Sequence, residues 1–315
     1  MGTSGIHHVT AISGDLDRNL DFYSRVLGLR LVKRTVNFDD PSTWHLYYGD
    51  GVGRPGTILT FFIWPGGNRG RLGTGLASAV AFAVPPAAMG SWYQRLISHG
   101  LRVDPPSKRL GESVLEFADP EGMRLEIVGS LPVSPVEGWA GGPVPAEHAI
   151  RGLHSVTIWE DGDQGHEATL TGLLGLVRKG DEDNRLRFAG AGEVGAIVDI
   201  RRVGGFWHGL GGTGVVHHVA FRAPDDAVQR DMREHAAQAG LHPTEQLDRF
   251  YFRSVYFRQP RGVLFEVATD GPGFTADEPV DALGSALRLP PWMETSHTAI
   301  EARLPVPQAW PAEVG

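Results

Sequence analysis

The chain is written four times. Residues Gly5-Ile6-His7-His8-Val9-Thr10 return as Gly152-Leu153-His154-Ser155-Val156-Thr157, 147 positions on, and the same offset carries Leu27-Gly28-Leu29 onto Leu174-Gly175-Leu176. A second pair runs at an offset of 140, where residues 115–120 and 124–128 match 255–260 and 264–268, and Gly100-Leu101 lands on Gly240-Leu241. Repetition at this scale requires a fold assembled from copies of one supersecondary unit. The approximate units are 5–65, 74–130, 150–203 and 214–270.

Each unit reads as a short alternating strand, an amphipathic helix and three further strands, an α+β fold of four βαβββ modules. The helix of unit one spans 15–28, with Leu16, Leu20, Tyr23 and Leu27 at three- and four-residue spacing and a glycine stop. That of unit four spans 225–240, with Val228, Met232 and Ala236 on one side. At 315 residues the chain exceeds what one core usually organises. The expected organisation is two tandem domains, 1–130 and 150–270, joined by a Pro- and Gly-rich linker at 131–149. Residues 271–315 belong to no repeat. They are expected to form an extended tail with one short helix near 281–287, packed on the body or reaching a neighbouring subunit.

Strict alternation along a strand sorts the histidines by face. It puts His7, His154 and His217 with the Val and Ile residues that a helix would cover, and His8 and His218 on a polar cavity face. At the corresponding first-strand positions stand His8, Ala79, Ser155 and His218. On the last strands stand Glu126 and Glu266, with Asp199 a loose match in unit three. A lone carboxylate between apolar neighbours is costly to bury. His8, His218 and Glu266 together complete a set of two imidazoles and one carboxylate. With open positions remaining, that set suits a non-haem Fe(II) centre binding substrate and O2 together, and Mn(II) accepts the same donors. Cysteine is absent, which excludes thiolate sites and disulfides. His7 and His217 read either as packing residues or as groups that orient the ligands and transfer protons.

The net charge of -8 argues against nucleic acid as a partner. No apolar run approaches the ~18 residues of a membrane span, and the N-terminus has no secretory pattern, so a cytoplasmic protein is expected. Exposed module edges and the tail make a homodimer the expected assembly. Trp44, Trp64, Phe206, Trp207 and Phe257 are candidate pocket walls, and the glycine-rich stretch 204–212 a candidate lid.

The βαβββ units resemble the vicinal oxygen chelate superfamily of glyoxalases, bleomycin-resistance proteins and extradiol dioxygenases. Residues 5–12, 19–23, 27–33, 35–41 and 45–50 resemble its hydroquinone-type ring-cleaving dioxygenases more narrowly. That resemblance implies an Fe(II) site shared by units one and four, with Ser155 in place of a third-unit ligand. It also implies that His7, Thr10, His217, Arg249 and Tyr256 surround the ligands, and that a small aromatic diol and O2 are the substrates. A glyoxalase-like isomerase, which needs a second carboxylate such as Glu126, and a metal-free aromatic-binding protein are the rival readings.

Overall fold

The computed structural model of the protein describes residues 2–130, 136–162, 165–260 and 262–311. Unit one supplies β1 (Ile6–Ser13), β2 (Arg30–Asn37), β3 (Asp40–Gly49) and β4 (Ile58–Ile63). Unit two supplies β5 (Ala77–Val84), β6 (Ser107–Arg109), β7 (Glu112–Ala118) and β8 (Arg124–Gly129). Unit three supplies β9 (Gly152–Glu160), β10 (Val177–Glu182), β11 (Arg185–Ala189) and β12 (Ile197–Arg202). Unit four supplies β13 (Val215–Ala223), β14 (Leu247–Asp248), β15 (Arg253–Arg258) and β16 (Leu264–Thr269). The four modules are those expected from the repeats.

They assemble as two curled eight-stranded sheets. Within a unit the first strand pairs in parallel with the last, as β1 does with β4, which leaves its other edge open. Two such edges close on each other antiparallel, β1 on β13 and β5 on β9. An unpaired edge deep in a protein would leave a row of unsatisfied amides, so this pairing is what makes two units into one sheet. Sheet one therefore joins units one and four, and sheet two joins units two and three. The halves read from the sequence, 1–130 and 150–270, and the sheets of the fold cut the chain differently. The connecting segments hold this crossing in place, through isolated bridges from Arg69 to Thr213, Arg71 to Leu210 and Thr74 to His208. The 204–212 stretch is thus a splice between crossovers, which corrects its reading as a lid.

One large apolar cluster gathers the helix-covered faces of both sheets, with Tyr23, Trp92, Leu170 and Met232 drawn from the helices of all four units. The helix of unit one opens as an α-helix, Leu16–Leu20, capped by the Asp15 carboxylate on Arg18 N–H, and continues as a π-helix, Asp21–Val26. It stops at Gly28, whose φ of +70° is one that residues with a Cβ rarely adopt. Val144 of the linker packs there, and its side chain would lie 2.7 Å from any Cβ. Residues 131–135 of the expected linker lie outside the described residues. Val144 and Ala149 are buried in the main core, so the rest of the linker is structural packing rather than loose chain.

All four first strands carry an extra residue. Where β1 meets β13, Ile6 pairs with Phe221 and His8 with Ala220, so His7 is unmatched; Thr10 pairs with His218 and Ala11 with Val216, so His217 is unmatched. The pairing of β5 with β9 skips Ser78 and His154 in the same way. Each is a β-bulge. The residues flanking each bulged pair, Ile6 and Val9, Ala77 and Val80, Leu153 and Val156, Val216 and Val219, all belong to the helix-covered core. Both residues between them therefore face the concave side. This corrects the expectation that His7, His154 and His217 lie under the helices.

The tail packs on the body of its own chain. Its helical pieces are 3-10 turns at Phe274–Ala276, Val280–Ala282 and Glu294–Ser296 and an α-helix at His297–Glu301, in place of the helix expected near 281–287. Lys33 is fully buried, 2.6 Å from Asp277 Oδ1 and in contact with Glu278 Oε2, with its ammonium 4.9 Å from the centre of the Tyr251 ring. Trp44 Nε1 donates to Pro305 O, and Trp310 packs edge-on against Trp44. No described helix is long and apolar enough to cross a membrane. Breaking a buried ion pair strands its partner in low dielectric, so Glu278→Ala is expected to cost about 3 kcal/mol, read by chemical denaturation. A loss below about 1 kcal/mol would mean that Lys33 does not anchor the tail.

Candidate metal centre

On the concave face of sheet one, the bulges of β1 and β13 bring His8 and His218 together, and β16 lays Glu266 beside them. His8 Nε2 lies 3.3 Å from Glu266 Oε2, and His218 Nε2 lies 2.9 Å from the same oxygen. All three residues are buried, and one ligand atom from each falls within 4.8 Å of the others. Among the described residues no other group of three histidines or carboxylates converges in this way. Neither His218 Nε2 nor Glu266 Oε2 has a hydrogen-bond partner. Two unsatisfied lone-pair atoms aimed at each other in a dry site are costly unless a cation lies between them, so the donor set fits a metal ion.

The backing of the donors is as specific as the donors. His8 Nδ1 is 2.9 Å from His7 Nδ1, and His218 Nδ1 is 2.7 Å from His217 Nδ1. If each ligand presents the Nε2 lone pair inward, its Nδ1–H donates to the neighbouring ring, which fixes tautomer and orientation together. Ser254 donates to Glu266 Oε1 at 2.6 Å and leaves Oε2 for the metal.

Thr10 pairs across β1 and β13 with His218, and its hydroxyl accepts from Thr60 at 3.0 Å. Tyr256 stands opposite Glu266 on β15, its ring 5.6 Å from that of His218. Arg249 lies 5.6 Å from the centre of the Tyr256 ring and is held by both oxygens of Asp39 at 3.1 and 2.8 Å. All five residues expected around the ligands are therefore in or beside this cavity. The aromatic walls differ from those expected. Phe252 packs on His7 and His8, and Phe62 on His217 and His45. Trp64 stacks behind Phe62, Trp44 meets the tail, and Phe257 is core. Phe206 and Trp207 pack beside Trp159 on sheet two. His45 was passed over as a site residue. It joins Tyr47 (2.9 Å) to Thr60 (2.7 Å) and so to Thr10, and its alternation with the core residues Trp44 and Leu46 was the signal for its face.

Glu126 occupies the Glu266 position in sheet two, and there it bonds Arg109 at 2.6 Å. The registers make Asp199 a full rather than loose equivalent. Thr157 pairs with Asp199 as Ala220 pairs with Glu266, Ala81 with Glu126 and Thr10 with Thr60.

Residues 5–127 match the model of the glyoxalase/bleomycin resistance protein/dioxygenase superfamily. MhqO of Bacillus subtilis, named as a ring-cleaving dioxygenase, is 42% identical over 96% of both chains. The chain belongs to this superfamily. A chlorohydroquinone/hydroquinone 1,2-dioxygenase of Sphingobium indicum is 33% identical over 92% of each chain. A crystal structure from Bacillus subtilis described as a dioxygenase superposes with a TM-score of 0.93 at 41% identity, covering 98% of each chain. The paired-module sheets run from Ile6 to Thr269, and relatives named as ring-cleaving dioxygenases match the chain nearly end to end.

Burial is the main cause that holds His7 and His45 well below the ordinary histidine value, with His8 adding to it, and it lowers His218 as well. His217 is pushed down to about 3 by burial and by His218. Burial alone would raise the Glu266 carboxyl, but His8 and His218 beside it hold it well below the carboxylate range. The unfolded chain therefore takes up protons before the folded one does, from about pH 6.5 downward for the histidines and from about 4.3 for Glu266. Stability from these groups is complete above those values and is lost as the pH falls. Urea denaturation of the metal-depleted protein should show a falling midpoint between pH 7.5 and 5.5, approaching about 1.4 kcal/mol per pH unit per histidine at the acid end. A flat profile would mean that the rings are solvated.

Proposed function

We propose that the protein is a ring-cleaving dioxygenase for hydroquinone- or catechol-type diols, with Fe(II) held by His8, His218 and Glu266. The observation that carries this reading is the buried, unsatisfied N,N,O donor set. The nearly full-length relatives named for ring cleavage support it. When bound, Fe(II) supplies the redox chemistry that lets a phenolic ring react with O2.

The chain's own residues do the rest. His7 and His217 hold the ligand rings in one tautomer, and with Nδ1 accepting, each carries its remaining proton on Nε2. The Tyr256 hydroxyl is kept protonated by burial and by the charge of Glu266, so it can donate to a substrate oxygen. Arg249 stays charged and is aimed by Asp39, which suits it to offset negative charge developing on a phenolic substrate. Thr10 offers a hydroxyl beside His218, ordered by Thr60. Phe252 packs on His7 and His8, and Phe62 on His217, which shields the donors from water.

The glyoxalase-like alternative requires a second carboxylate in the same cavity. The position related to Glu266 by the two-unit symmetry of sheet one is Thr60, and Glu126 is committed to Arg109 on sheet two. That distribution favours the three-donor dioxygenase.

Anaerobically Fe(II)-loaded protein should consume O2 when given hydroquinone, methylhydroquinone, chlorohydroquinone or catechol, with ring-opened product in step, and His218→Ala should not. One tightly bound metal per chain without any uptake would overturn the proposal. His7→Ala leaves the three donors but removes the orienting ring, and should weaken metal binding about 10–100-fold in a chelator competition. Unchanged affinity would show that His7 does not set the ligand.

A further inference from the structure

Sheet two repeats the metal cavity without its metal ligands. Ala79 and Ser155 stand where His8 and His218 stand in sheet one, and Glu126 and Asp199 stand at the Glu266 position. Glu126 is bound by Arg109, and Asp199 by both Arg185 and Arg187. A cavity of about 270 Å3 lies here, with Ala79, Glu126, Thr157 and Arg185 in its wall. An engineered apolar cavity of about 150 Å3 already admits benzene.

Arg185 forms part of its wall and is 93% buried, the complement of its 7% exposure. Both of its hydrogen bonds leave from Nη1, to Thr157 Oγ1 at 2.8 Å and Asp199 Oδ2 at 3.1 Å. Its Nε and Nη2 donors, one edge of the guanidinium fork, make no hydrogen bond within the described protein. That edge is not sealed from solvent, which leaves a donor pair open to an acceptor in the cavity. Arg187 takes both oxygens of Asp199 at 2.9 Å, which leaves Arg185 the less compensated of the two. Arg102, Arg124 and Arg201 also line the cavity, with Asp104 and Glu116 opposing them. Glu112 is taken by Arg187 and His154. The apolar part of the wall is Phe117, Leu125 and Trp159.

We infer that this second cavity is a binding site for a small planar organic carboxylate, its oxygens on the free edge of Arg185 and its ring against Trp159 and Phe117. The chemistry follows from the wall. A fork of two parallel N–H groups matches the two oxygens of a carboxylate. The four arginines that line the cavity, Arg102, Arg124, Arg185 and Arg201, exceed by one its three carboxylates, Asp104, Glu116 and Glu126. A monoanion balances the set. The site is independent of the metal and of the reaction proposed above, since it shares no residue with sheet one.

Calorimetric titration of the full-length protein with sodium benzoate at pH 7 tests it. Saturable binding of one equivalent is expected for the parent protein and equally for His218→Ala. Arg185→Met removes the donors and Ala79→Phe fills the space. Each should weaken binding at least tenfold, with the urea midpoint checking that the variant is folded. Benzyl alcohol, which lacks the charge, should bind at least tenfold more weakly than benzoate. Absence of saturable benzoate binding overturns the assignment. So does binding lost in His218→Ala but kept in both sheet-two variants, which would place benzoate in the first cavity, and so does equal binding of benzyl alcohol.

Discussion

One extra residue in a strand is the constraint on which the rest depends. Without the bulge, alternation would aim only one histidine of each adjacent pair at the concave face, and the other would point into the apolar core. With it, Ile6 and Val9 still anchor the core while His7 and His8 both enter the cavity, and Val216 and Val219 do the same for His217 and His218. A candidate ligand and the histidine whose ring meets it thus come from adjacent positions on one strand. Their relative placement is set by backbone geometry rather than by the packing of distant elements.

The same backbone serves two outcomes because each sheet buries carboxylates that must be compensated. Glu266 faces two imidazoles, and the arrangement is left short of a cation. Glu126 and Asp199 face guanidinium groups and are satisfied within the protein. Both solutions answer the penalty on an unpaired buried charge. Only the first keeps imidazole and carboxylate lone pairs without partners among these groups, and so only the first retains an appetite for metal.

Much of this was legible in the sequence, because repeats place equivalent residues on equivalent positions. The four modules and the trio of His8, His218 and Glu266 followed from aligning units against each other. The bulges did not, since a bulge is an exception to the alternation by which faces are assigned, and His7, His154 and His217 were assigned to the wrong side for that reason. The aromatic walls were also hidden. Phe252 and Phe62 are set by hairpin register, and only the folded sheet shows that Phe206 and Trp207 pack beside Trp159 on sheet two. The anchoring of the tail by Lys33 joins residues 244 positions apart in the closest pairing, which no local pattern encodes.

The strand order has a consequence for time as well as space. Sheet two is made wholly from a continuous stretch between Ala77 and Arg202, whereas sheet one closes only when β1 meets β13 from the other end of the chain. The topology is nested, one sheet bracketed by the two parts of the other. Short loops close at less entropic cost than long ones, so the inner sheet is expected to gain hydrogen-exchange protection before the outer one. The outer sheet carries the candidate donors His8, His218 and Glu266. On a ribosome, the inner sheet can be complete while Glu266 is still unmade, so the chain acquires a stable body before that trio can converge.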